Sequence, residues 1–121
     1  MPTVFATMLP QLHDPATGRL DAQRIAAYLG VPLSQLARAL GKRYQTLHKT
    51  PGAPSVQDGL RPIKVSLDIL ASVFHDDAAV RVWLNSPHPD LGLRTPLQVI
   101  LEGHAGAVET MLANASEGIP S

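Results

Sequence analysis

Glycine and proline cut this chain into short lengths, and that punctuation limits its fold more than any other feature. Eleven prolines and nine glycines are spread over 121 residues. Between them the apolar residues recur at i, i+3 and i+4, the spacing of one face of a helix. No stretch alternates apolar with polar residues as a half-buried strand would. There is no internal repeat and no low-complexity block. The sequence predicts an all-α fold of short helices.

The helices can be placed by their ends. Residues 1–19, with Pro2, Pro10, Pro15 and Gly18, read as an arm with at most one short turn. Asp21 is a good N-cap for a first helix whose stripe is Ile25, Tyr28 and Leu29, and Gly30 ends it. Pro32 sits where a first-turn proline is tolerated. Leu33, Leu36, Ala37 and Leu40 follow as the apolar face of a second helix, closed by Gly41. A third begins near Arg43, turns Tyr44 and Leu47 inward and stops at Pro51-Gly52-Ala53-Pro54.

The longest apolar stripe is Leu60, Ile63, Leu67, Leu70, Ala71 and Phe74, within a helix expected over about Val56 to Phe74. Pro62 would break a backbone bond in its interior, so the main helix is expected to start near Arg61. Further helices are expected from Asp77 to Leu84, with Val80, Trp83 and Leu84 inward, and from Thr95-Pro96 to Gly103. The last runs from Ala105 to Ala115, with Val108, Met111 and Leu112 inward.

Composition narrows the function. Cysteine is absent, which excludes disulfides, thiolate metal sites and a cysteine nucleophile. The five histidines, His13, His48, His75, His88 and His104, include no pair at helical metal-ligand spacing. His75-Asp76-Asp77 and His88-Pro89-Asp90 read as solvated turns. No glycine-rich phosphate loop and no serine nucleophile elbow is present. An enzyme, a metal or a cofactor is therefore not expected. No segment reaches the ~20 apolar residues that span a bilayer. Met1 to Pro10 lacks the basic flank and cleavage site of a signal peptide, so no membrane association and a cytoplasmic location are expected.

The net charge of zero hides a division. Residues 19–64 carry Arg19, Arg24, Arg38, Lys42, Arg43, Lys49, Arg61 and Lys64 against Asp21 and Asp58, a net +6. Residues 65–121 carry Arg81 and Arg94 against Asp68, Asp76, Asp77, Asp90, Glu102, Glu109 and Glu117, a net −5. Two faces with different partners would account for this, the basic one facing a phosphate backbone. Two solvated surfaces that help the halves pack together account for it equally well.

Leu36-Ala37, Leu40-Gly41 and Leu47 fit a helix-turn-helix template. Small Ala37 allows two helices to cross, Gly41 takes the turn, and the leucines pin the pair. The second helix of such a motif enters the DNA major groove. Its outward residues here are Lys42, Arg43, Gln45, Thr46, His48 and Lys49. Arginine and glutamine suit base edges, and lysine suits phosphates.

From Trp83 onward the sequence resembles the toxin-binding region of Xre/MbcA/ParS-type antitoxins. Trp83-Leu84, Pro87, Pro89, Leu91-Gly92, Arg94-Thr95-Pro96-Leu97, Gly103 and Leu112 through Gly118 carry the resemblance. Leu20 to Phe74 is similar to the helix-turn-helix half of that family. The resemblance implies a RES-domain toxin as partner, an NAD-consuming enzyme whose cleft the C-terminal region of the antitoxin blocks. It also implies repression of the chain's own operon through operator DNA, and a homodimer. The implied organisation is an arm over 1–19, an Xre-like helix-turn-helix domain over 20–75 and a toxin-binding domain over 76–121. Among the C-terminal residues, Trp83, Pro87, Pro89 and Thr95 read as structural. Glu102, His104, Glu109, Glu117 and the tail Gly118, Ile119, Pro120 and Ser121 are the candidates for toxin contact. An acidic tail can imitate phosphate charge in a basic nucleotide pocket. Two rival readings are a stand-alone transcriptional regulator whose C-terminal half dimerises, and a protein-interaction module with no DNA role.

Overall fold

A computed structural model describes residues 9–116 of the chain. These residues form seven α-helices and no strand: α1 (Ala22–Leu29), α2 (Leu33–Leu40), α3 (Tyr44–Lys49), α4 (Gln57–Phe74), α5 (Asp77–Leu84), α6 (Pro96–Leu101) and α7 (Ala105–Ser116). The all-α expectation holds. The only strand-like feature among the described residues is an isolated bridge between His13 and Leu20.

The expected ends are observed, with the expected chemistry. The Asp21 carboxylate accepts from the Arg24 N–H at the start of α1. Asp76 does the same for the Ala78 N–H at the start of α5. At α6 the cap is reciprocal. The Thr95 hydroxyl accepts from the Gln98 N–H and the Gln98 side chain accepts from the Thr95 N–H, with Pro96 in the first turn.

One helix runs further than its proline suggested. α4 is continuous from Gln57, with Pro62 inside it. The proline removes the bond that its nitrogen would have made to the Asp58 carbonyl, a loss of about 3 kcal/mol in a helix interior. Two facts offset it. Asp58 is exposed, so its carbonyl can turn to water, and Val56 and Leu60 are fully buried. Burial of two such side chains contributes roughly 1.5–3 kcal/mol each. Ser66, also fully buried, donates its hydroxyl to the Pro62 carbonyl at 2.8 Å, which satisfies that hydroxyl within the core.

A single hydrophobic cluster runs from Leu9 to Leu112. α4 is its axis: it packs along α7 over the most extensive helix interface and also against α5. Of the expected arm, the described part is sewn into this core. Leu9 and Leu12 are buried, the latter in a 3-10 turn over Pro10–Leu12. The Gln57 amide at the start of α4 accepts from the Leu20 N–H at 2.9 Å and donates to the Leu20 carbonyl at 2.8 Å. A second polar tie joins α1 to α5. Tyr28 is 5% exposed, and its hydroxyl donates to Asp77 at 2.7 Å. Arg81 stacks over the same ring and donates to the Tyr28 carbonyl. Burial first, then the bond to Asp77, holds the phenol pKa well above its usual value.

Two side chains depart from the inward positions that periodicity assigned. Tyr44 is 45% exposed and Phe74 is 38% exposed. α3 has only six residues, and Leu47 alone fills its buried side. Phe74 ends α4, where the chain reverses through His75 in a left-handed conformation and the neighbouring Ser72 and Val73 are exposed as well.

Candidate functional site

The first candidate site is the α2–α3 pair. Leu36, Ala37 and Leu47 are buried between the two helices, as the template requires. Gly41 ends α2 at φ +69°, a left-handed conformation that leaves its own N–H bonded to Arg38 and the Lys42 N–H bonded to Ala37. This turn sets α3 across α2. Lys42, Arg43, Gln45, Thr46, His48 and Lys49 are all exposed. None of them is in an ion pair among the described residues. Sequence periodicity missed Tyr44, which stands on the same outer surface and stacks on the His48 ring at 5.6 Å. α3 is about 9 Å long at 1.5 Å per residue, less than two full turns, and all its residues but Leu47 are exposed.

The second candidate site lies in the C-terminal helices, where the expected contact residues are separated. Glu102 and His104 flank Gly103 at the corner between α6 and α7, and both are exposed. That corner packs on α2. Gly103 has φ +90°, and a Cβ added to it would lie 3.3 Å from the Ala39 carbonyl oxygen. Glu102 is paired with Arg94 within the chain. Glu109 is half-buried in the middle of α7. Glu117, Gly118, Ile119, Pro120 and Ser121 lie outside the described residues, following the far end of α7. The helix puts about 18 Å between that end and the Gly103 corner.

A groove lies between these ends. One wall is the loop from His88 to Arg94, which is closed on itself. His88 N–H bonds the Arg94 carbonyl at 3.1 Å, and Leu93 N–H bonds the His88 carbonyl at 3.0 Å. The other wall is α7. Two adjoining concavities, of about 320 and 530 Å³, share Asp90 and Met111. Trp83 and His88 line the first, their rings tilted at 6.0 Å, and Leu91 and Ala107 line the second. Of these residues the sequence reading assigned Trp83 to the core and His88 and Asp90 to a turn. Both assignments describe the backbone correctly, but residues far apart in sequence make the groove, which no local signal marks.

Among the described residues no cluster of histidine and carboxylate side chains is arranged to hold a metal ion. Among these same described residues no helix is long and apolar enough to cross a membrane. No curated protein and no solved structure matches the chain significantly. Residues 70–118, from the C-terminal end of α4 through α7, match the Xre/MbcA/ParS antitoxin family in its C-terminal toxin-binding domain.

Proposed function

We propose that this chain is the antitoxin of a toxin–antitoxin pair whose toxin is a RES-domain enzyme that consumes NAD. The match of residues 70–118 to an antitoxin toxin-binding domain carries this reading. In it the C-terminal helices and the tail beyond α7 cover the NAD-binding cleft of the toxin, and Glu102, His104, Glu109 and residues 117–121 supply contacts. The antitoxin acts in the cytoplasm as a homodimer and represses its own operon through α3. The DNA role is supported by the exposed row from Lys42 to Lys49 and by the basic excess of residues 19–64.

The test uses the protein encoded beside this one, expressed with and without this chain. NAD loss caused by the neighbour alone, together with its suppression in a co-purifying complex, supports the reading. A harmless neighbour that does not bind overturns it and leaves a stand-alone helix-turn-helix regulator. Arg43→Ala and Lys49→Ala then decide the DNA role separately.

A further inference from the structure

The groove between the His88–Arg94 loop and α7 has three properties that its packing role does not require. Its one carboxylate, Asp90, is 50% exposed, lies 4.0 Å from the His88 ring nitrogen and has no lysine or arginine partner among the described residues. Asp90 sits where the two concavities meet, between the Trp83 ring on one side and the apolar Leu91, Ala107 and Met111 on the other. In the loop that forms one wall, Leu93 is 70% exposed and held at φ +66°. A bulky residue other than glycine is strained in that conformation. The closed loop enforces it, and the result is an apolar side chain presented to solvent.

A carboxylate beside an aromatic ring, among mostly apolar lining residues, suits a long cationic side chain. Its stem can pack on Met111 and Leu91 while its head group pairs with Asp90. The net −5 of residues 65–121 favours a partner surface of positive charge. We infer that this groove seats a basic segment of the toxin, with one of its arginine or lysine side chains on Asp90 and Leu93 packed against it as an apolar anchor. The inference rests on the toxin-binding reading above and names where on the antitoxin the toxin docks.

Trp83 is the only tryptophan of the chain, so 5-fluorotryptophan labelling gives one fluorine resonance that reports on the groove. The labelled full-length chain is titrated with the neighbouring toxin, and affinities are measured for Asp90→Lys and Leu93→Gly. The resonance is expected to shift on binding. Asp90→Lys should weaken binding roughly 30-fold or more. Leu93→Gly should weaken it about 10-fold without lowering the melting temperature, because glycine relieves the strain at that position. A merely structural role for Leu93 would make binding and stability fall together. A wild-type chain that binds with its resonance unmoved and with both variants unimpaired overturns the groove and leaves toxin binding standing. A wild-type chain that leaves the toxin unbound overturns both.

Discussion

Replacing Tyr28 by Phe removes one hydrogen bond and changes little else. The ring stays in its buried seat under Arg81, and only the hydroxyl that donates to Asp77 at 2.7 Å is lost. Asp77 is exposed, so water can take over its freed oxygen. The cost at neutral pH is that of one ordinary net hydrogen bond, about 1 kcal/mol. For a chain of this length that lowers the melting temperature by about 4 °C. The sign reverses in alkali. The folded phenol has a raised pKa, so its stabilisation is complete below the unfolded value near 10 and declines as pH rises above it. One such group costs the wild type up to ~1.4 kcal/mol over the first pH unit above 10. The stability curves of wild type and Tyr28→Phe should therefore cross between about pH 10.5 and 11. Urea unfolding followed by circular dichroism from pH 7 to 11 measures both limbs. Other groups titrate equally in the two proteins and cancel in the difference. Parallel curves, with a constant gap at all pH values, would refute the buried-phenol argument.

Three further outcomes follow from the geometry. Gly103→Ala should destabilise the fold by about 1–3 kcal/mol, since alanine is strained at φ +90° and its Cβ would press on the Ala39 carbonyl; chemical denaturation measures it, and an unchanged midpoint would contradict the packing of the α6–α7 corner on α2. Arg43→Ala and Lys49→Ala should each weaken operator binding while leaving the melting temperature within about 1 °C, and each should reduce the slope of log affinity against log salt by about 1; an unchanged slope for both would remove the DNA role from α3. Deleting residues 117–121 should leave the helical circular dichroism intact and lower inhibition of the toxin, and full inhibition by the shortened chain would defeat a role for the tail.

Most of the fold could be read from the chain because its helix ends are written in local chemistry. Asp21, Gly30, Gly41, Thr95-Pro96 and Gly103 each act within a few residues, so their effect survives without knowledge of the rest of the molecule. The start of α4 was misread for the opposite reason. The cost of Pro62 is local, whereas the burial of Val56 and Leu60 that outweighs it depends on helices elsewhere in the sequence. Tyr44 and Phe74 fall at correct helical positions, yet they stay exposed at the surface because tertiary packing covers them only in part. The exposed row from Lys42 to Lys49 was legible, since a single turn and a single buried leucine define it. The groove was not, because Trp83, Asp90 and Met111 meet only through tertiary packing.

α4 opens at Gln57, beside the helix-turn-helix pair, and the matched toxin-binding segment begins at residue 70, inside it. The matched segment and the residues ahead of it thus share a helix rather than a linker. On the antitoxin reading proposed above, a recombinant exchange of toxin specificity joined at residue 76 would separate α7 from the wall against which Val108 and Leu112 are buried. Such chimeras need their junction ahead of Pro54, so that the donor contributes all of α4. The acceptor must then rebuild the contact between Leu40 and Gly59, where a Cβ at residue 59 would come within 2.8 Å of the leucine. A change of partner in this architecture therefore also touches residue 59, where the end of the Leu40 side chain meets the shared helix.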